Sequence, residues 1–319
     1  MTTPPTAVVA GGSRGLGLLV CRELARRGHV VHACARDETE LEEARRLLDQ
    51  EGLTVHTSPC DVRDAAAVRA WIDGVGADGL DVAIHVAGII QVLPARHATS
   101  TMYQDAVDTM LLGPVHLADA VLDGMLAQGH GRLGIVSSVG GVVAPPRLLP
   151  YAVAKFGATG LAEGLYSELA GTGVSCTAII PGLMRTGSHQ RARFLQQGTA
   201  DYRWFAAAAS LPGISMSADR AARRIVEAVL AGRPRVELTP LTWLAQRVHG
   251  LAPATTTRAL GVVARCLPEA ASSGEESTAS LAEGITLRRR ISSRMLDGLT
   301  RIGDRAADAH NEHVGTRGE

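Results

Sequence analysis

The run Val8-Val9-Ala10-Gly11-Gly12-Ser13-Arg14-Gly15-Leu16-Gly17 leads from an apolar strand pattern through a cluster of glycines into a helix pattern. Glycine there lets backbone N–H groups approach a pyrophosphate, and a helix N-terminus presents partial positive charge to the same group. The Gly-x-x-x-Gly-x-Gly spacing at the head of a β-α-β pattern predicts a dinucleotide-binding turn, with Gly11, Ser13, Arg14, Gly15, Leu16 and Gly17 against the cofactor. A ligand-free strand-to-helix turn has the same spelling. The run also fits Gly-x-Ser-x-Gly, the nucleophile elbow of serine hydrolases, with Ser13 acylated. That reading puts the nucleophile on the first strand, finds no matched histidine and acid late in the chain, and leaves Tyr151 and Lys155 idle.

Outward from this turn, β-rich runs alternate with helical patterns from Thr6 to about Pro240, which predicts an α/β fold: a Rossmann-type doubly wound parallel sheet of about seven strands. Strands are expected at Ala7–Ala10, Val30–Ala35, Leu53–Thr57, Asp81–Val86, Arg132–Ser137, Val174–Ile180 and Arg235–Leu238. Several are apolar on successive residues, as strands covered on both faces should be. Helices are expected at Leu16–Arg27, Glu38–Glu51, Ala65–Asp73, Thr101–Gln128, Pro150–Ala170 and Ala218–Ala231, the second with Asp37 as cap and Glu40 three residues on. Residues 1–240 are expected to form one dinucleotide-binding domain, which also holds the candidate catalytic residues. Residues 241–267 form an amphipathic helical extension broken at Pro253, which could cover a site mouth, contact another subunit or rest on a membrane surface. Residues 268–319 read as a partly disordered region, a linker from Pro268 to Gly284 followed by a loosely docked or mobile tail helix with the row Ile291, Met295, Leu299, Ile302.

With 46% hydrophobic residues in 319, the chain can bury a full core. A formal net charge of zero and a pI of about 7.2 leave no electrostatic footprint for nucleic acid. Cys21, Cys34, Cys60, Cys176 and Cys266 are scattered without paired spacing and read as reduced residues of a cytoplasmic protein; no metal-ligand pattern stands out. The N-terminus lacks a basic region before an apolar stretch, and no run reaches about 18 uninterrupted apolar residues, so neither secretion nor a transmembrane span is expected.

Lys155 is the only lysine among the 32 basic Lys and Arg residues, and it lies one helical turn after Tyr151. On a helix, positions i and i+4 share a face, so ammonium and phenol can share a pocket, and a nearby cation lowers a tyrosine pKa from its usual value of about 10. At the end of the second strand, Cys34-Ala35-Arg36 has no acid for the adenosine ribose. Arg36, with Arg14, could instead embrace a 2′-phosphate, which favours NADP over NAD. Asp61, with Val62 beside it, ends the third strand with a carboxylate able to accept from an adenine amino group, or simply solvated in a loop.

Ser138, Tyr151 and Lys155, in this order after such a glycine turn, closely resemble the short-chain dehydrogenase/reductase family over about residues 6 to 240. Ala87-Gly88 matches the end of that family's Asn-Asn-Ala-Gly element, and Pro181-Gly182-Leu183-Met184-Arg185-Thr186 resembles its Pro-Gly-x-x-x-Thr element. The resemblance implies hydride transfer between NADP(H) and a carbonyl or secondary alcohol. Tyr151 would be the acid or base, Lys155 would lower its pKa and bond the nicotinamide ribose, Ser138 would bond the substrate oxygen and Thr186 the nicotinamide carboxamide. It also implies a homo-oligomer. The chain departs from the pattern at His85-Val86, where the family has Asn-Asn, at Met110, where it has a relay asparagine, and at Ala10, where it has threonine. An NADP-binding protein without turnover is therefore a second reading. The stretch Gln190 to Pro212, with Phe194, Leu195, Tyr202, Trp204 and Phe205, reads as a lid over an apolar ketone or alcohol of steroid-like, acyl or polyketide-like type, though buried core aromatics would spell the same.

Overall fold

The computed structural model describes residues 3–76, 79–196, 198–210, 215–267, 280–291, 307 and 310–312. Seven parallel strands form its central sheet: β1 (Thr6–Ala10), β2 (Val30–Ala35), β3 (Val55–Pro59), β4 (Leu80–His85), β5 (Gly131–Val136), β6 (Val174–Ile180) and β7 (Arg235–Glu237). Their order is β7-β6-β5-β4-β1-β2-β3. The chain winds outward in opposite directions from β1, leaving a crevice at the carboxyl ends of β1 and β4.

Both faces of the sheet are covered. Ala7 and Val9 of β1 pack with α1 (Gly15–Arg26), α2 (Glu38–Asp49) and α9 (Ala218–Leu230), whereas Val8 and Ala10 face α3 (Ala65–Val75), α5 (Gly113–Gln128) and α6 (Leu149–Glu168). That is why β1 is apolar at every position: alternation serves two cores at once.

Several boundaries shift by a residue or two from the sequence reading, and two differences have a plain cause. The third strand starts at Val55 because the Leu53 amide donates to Leu48 O and closes the end of α2. The long helix begins as α4 (Ser100–Val107), capped by the Thr99 side chain, passes through a π-helical turn at Asp108–Leu112 and resumes as α5. Pro114 has no N–H to close an ordinary turn there. Ser100–Gln128 is long and apolar enough to match a bilayer span, yet Met102, Ala106, Leu117, Val121 and Met125 are buried within the protein.

The chain after β6 builds a smaller layer from α7 (Ser188–Arg191), α8 (Thr199–Ser210) and α12 (Gly284–Arg289), while α10 (Pro240–Leu251) and α11 (Pro253–Cys266) rest Ala245 and Leu260 on the main core. Leu281–Glu283, read in the sequence as linker, is a strand antiparallel to Arg193–Leu195, which in turn pairs with Gln91–Val92. The rest of that linker, Pro268 to Ala279, and Met295, Leu299, Ile302 and Pro212 lie outside the described residues. Phe194, Tyr202 and Phe205 form a buried cluster with Val92, Leu287 and Ile291, with edge-on ring contacts at 5.5 and 5.8 Å. These aromatics are the core of the small layer rather than a surface turned to substrate; Leu195 and Trp204 are half-buried at its margin.

Gly17 marks where α1 presses on the turn after β1, since a Cβ there would fall on the Gly11 carbonyl oxygen, whereas a Cβ on Gly28 would meet nothing. Gly17→Ala is expected to cost on the order of 3 kcal/mol in urea denaturation, against about 1 kcal/mol for Gly28→Ala, where only the positive φ of 84° is strained. Equal losses would mean that α1 and the turn are not in contact.

Candidate active site

The turn after β1 is held by its neighbours. Gly11 and Gly12 amides donate to Cys34 O at 2.8 and 3.1 Å, and Val86 and Ala87 amides donate to Ala10 O at 2.8 and 3.0 Å. Gly11 has φ +91°, and a Cβ on it would lie 2.5 Å from the Ala87 nitrogen, so only glycine fits between the ends of β1 and β4. Arg14, at the N-cap of α1, gives no side-chain cap, so the first-turn N–H groups look outward for partners. Leu16 and Gly17 are buried in that first turn.

The C-terminal segment fills this mouth. The Gly15 amide donates to His310 O at 2.8 Å, and the Asn311 Nδ2 donates to Ser13 O and Glu40 O, both at 2.9 Å. The Glu312 carboxylate lies over Gly15, where a Cβ would be 2.8 Å from its Oε1, and its Oε2 accepts from the Gly187 amide. Burial pushes the Glu312 carboxyl up to about 7, opposed by the Gly187 N–H and by Arg14, His189 and Arg191.

Glu40 organises the neighbouring charges. Asp37 caps α2 by accepting from the Glu40 amide at 2.9 Å, but Glu40 does not return to Asp37. Its carboxylate accepts from Arg14 at 3.1 Å, Arg191 at 3.0 Å and the Ser13 hydroxyl at 3.2 Å. Ser13 is thus bonded to a carboxylate and not to an imidazole, which leaves the hydrolase reading without a base. Arg36 is exposed at the end of β2. Asp61 is clamped by Arg63, whose Nη2 lies 2.7 Å from Oδ2; that contact first, and Arg36 more distantly, hold its carboxyl below the usual range. Val62 is buried, and its carbonyl bonds His116 Nδ1 at 3.0 Å.

The second cluster lies at the ends of β5 and β6. The Gly140 amide donates to Ser138 Oγ at 3.1 Å, and the Val139 amide donates to Pro181 O at 2.7 Å, joining the loops after the two strands. The Ser138 hydroxyl is hydrogen-bonded to the Tyr151 phenol. Lys155 is buried, donates from Nζ to Val136 O at 2.7 Å, and lies 5.8 Å from the Tyr151 ring centre. Ser137 Oγ donates to Lys155 O at 2.8 Å, fixing α6 on the end of β5.

The acidity differs from the sequence expectation. Burial raises the Tyr151 pKa, with the Ser138 bond pulling the other way, and burial lowers Lys155 to about 7. Removal from water disfavours the charged form of each group, so Tyr151 holds its proton at neutral pH.

The loop after β6 completes the enclosure. A Cβ on Gly182 would meet the Thr239 and Thr242 hydroxyls at 2.6 and 2.7 Å, so this loop packs on the start of α10. Thr186 is buried, and its Oγ1 accepts from the Ser188 amide at 3.2 Å. Gly88 faces Lys155, whose Nζ lies 3.8 Å from where a Cβ would stand.

Residues 5–195 match the short chain dehydrogenase family. The chain belongs to that family. It is 34% identical over 193 residues to the ketoacyl reductase 1 assigned to the granaticin polyketide synthase of Streptomyces violaceoruber, covering 59% of this chain and 71% of that protein. A tropinone reductase homolog of Arabidopsis thaliana is 33% identical over 186 residues, covering 57% of this chain and 69% of that protein. A crystal structure of an actinorhodin polyketide ketoreductase variant with NADPH superposes with a TM-score of 0.66 at 25% identity, covering 74% of this chain and 97% of that one.

Against the family pattern, Met110 is buried in the π-helical turn with Ala106, Ala154 and Tyr151, which makes that side of the phenol apolar. His85 is buried beneath Gly113; burial first, and then Lys155 and His116, lower its pKa to about 3, and among the described residues its Nε2 has no hydrogen-bond partner. Glu40, Gly187, Arg191 and the His310–Glu312 segment were not singled out from sequence as site residues. Asn311, the chain's only asparagine, was the one available signal, since it sits at φ +57° with both amide bonds spent on the glycine turn and α2.

A lysine whose pKa falls from 10.5 to about 7 on folding binds fewer protons folded than unfolded between those pH values. Stability therefore rises with pH across that window, and the penalty is full below it. Lys155→Met is expected to gain stability relative to the parent most at pH 6.5 and progressively less toward pH 10, by up to about 5 kcal/mol across the window. A pH-independent difference in denaturation midpoints would contradict this.

Proposed function

We propose that this short-chain dehydrogenase reduces an apolar ketone with NADPH, Tyr151 acting as the general acid. The observation that carries the reading is the convergence of Ser138, Tyr151 and Lys155 at the carboxyl edge of the sheet, beside the glycine turn.

The donors present suit a dinucleotide. Gly15 and Gly187 offer main-chain N–H groups to a pyrophosphate, and both already hold anionic or carbonyl oxygen from the tail. Arg36 and Arg14 would take a 2′-phosphate, Asp61 and Val62 would flank adenine, and Ala87, Gly88, Pro181, Gly182 and Thr186 would line the nicotinamide half. When bound, the cofactor supplies the hydride. Tyr151 keeps its proton at neutral pH and can hand it to an oxygen that is gaining charge, while the Ser138 hydroxyl donates to that same oxygen. Lys155 holds the floor of the pocket and would bond the nicotinamide ribose. A protonated phenol suits reduction more than oxidation. The named relatives favour a ketone on an acyl or polyketide-like chain, and a cytoplasmic homo-oligomer suits the exposed Leu149, Val153 and Phe156 on one side of α6.

Tyr151→Phe should lower turnover of a ketone panel by about 10²–10⁴-fold while NADPH affinity changes less than about twofold; activity equal to the parent's would remove the acid. If the parent itself turns over no carbonyl or alcohol, the protein is a dinucleotide-binding protein without this chemistry. Arg36→Ala should weaken NADPH about tenfold and NADH hardly at all, and an unchanged ratio in a fluorescence titration would undo the 2′-phosphate assignment.

A further inference from the structure

The tail contact has a shape that asks for explanation. A helix with no cap of its own has its Gly15 N–H satisfied by His310 O, from nearly three hundred residues away in sequence. The Gly187 N–H, on the loop after β6, is satisfied by the Glu312 carboxylate. The same carboxylate lies against Gly15, with Arg14, His189 and Arg191 as its charged surroundings. Glu312 is only 6% exposed, and a Cβ on Gly187 would clash with Ala307 and Glu312. The tail therefore bridges the loops that follow β1 and β6, a carbonyl oxygen on the Gly15 N–H and a carboxylate oxygen on the Gly187 N–H. A pyrophosphate group would use the same two donors, because main-chain N–H groups donate to carbonyl, carboxylate or phosphate oxygen alike. Asn311 supplies the anchor, tying Ser13 O to Glu40 O, and Glu40 in turn occupies Arg14 and Arg191.

We propose that the segment carrying His310, Asn311 and Glu312 is an intrachain competitor of the dinucleotide, and that cofactor and tail exclude each other from the cleft between Gly15 and Gly187. The proposal rests on the dinucleotide reading above. The apparent affinity for cofactor is then the intrinsic one reduced by the fraction of molecules with the tail released, so whatever captures the tail elsewhere activates the protein. Gly15 and Gly187 can serve only one partner at a time.

The test uses the full-length chain with Asn311→Ala, Glu312→Gln, Glu312→Ala and the Asn311→Ala/Glu312→Ala pair. NADPH binding is followed by nicotinamide fluorescence, and amide hydrogen exchange is read at Gly15, at Gly187 and across the tail. The double variant should bind NADPH about tenfold or more tightly than the parent, with the single variants between. In the parent, saturating NADPH should speed exchange in the tail while Gly15 and Gly187 stay protected. Equal affinity in parent and variants overturns the proposal, as does a tail that stays protected with NADPH bound. If no protein binds NADPH while the substitutions still speed exchange at Gly15 and Gly187, the dinucleotide reading falls and the competitor role falls with it, although the tail contact itself is then demonstrated.

Discussion

The absence of a side chain at Gly11 and Gly17 lets three backbone segments touch: the end of β1, the start of α1 and the residues that follow β4. A methyl at either place would push α1 off the sheet or separate β1 from Ala87. Once they touch, the turn amides are bonded to Cys34 O, and the first turn of α1 is left facing outward without a cap. Buried or half-buried helix N-termini need partners, and the geometry leaves room for an anion rather than another side chain of the same loop. The crevice, its preference for negative charge and the lodging of Glu312 in it all descend from that contact.

The chemical cluster depends on burial in a different way. The Lys155 ammonium bonds Val136 O while buried, Met110 lies on the other side of Tyr151, and Ser138 bonds the phenol. Desolvation moves both ionisable groups toward their neutral forms, up for tyrosine and down for lysine, a cost that their spacing along the helix does not reveal. A pocket that raises a phenol's pKa keeps it in the protonated form while making it a weaker acid. A full charge on Lys155 would need a further acceptor or anion near Nζ, and a ligand entering between Gly88 and Tyr151 would change this balance most.

Much of this was legible in the chain. The glycine turn, the apolar runs of β1, β4 and β6, and the order Ser138, Tyr151, Lys155 are local patterns, and they gave the parallel sheet and the family. The acidity was less legible, because spacing places two groups on one face of a helix but does not say how much water is left between them. The lid was ambiguous in the same sense: Phe194, Tyr202 and Phe205 have the composition of a substrate wall, and only the packing of Leu287 and Ile291, far along the chain, turns them into a core. Glu40 followed the capping pattern at its amide while its carboxylate served Ser13, Arg14 and Arg191 instead. The tail was least legible, since a lone Asn-Glu pair has no periodicity, and its meaning comes from partners 125 to 298 residues away.

The loop after β6 is where these features meet. Its first residues carry Pro181, whose carbonyl holds the Ser138 loop through Val139; its middle carries Gly187, whose amide holds Glu312; and its later part carries Phe194, packed with α8 and α12. The C-terminal region therefore grips this loop twice, through α12 at Phe194 and through Ala307 and Glu312 at Gly187. A loop that touches the Ser138 loop, the tail at Gly187 and α12 in succession cannot move at one contact without loading the others. Release of the carboxylate from Gly187 frees the amide and removes a packed neighbour from the same residue, while the aromatic cluster keeps the far end of the loop anchored.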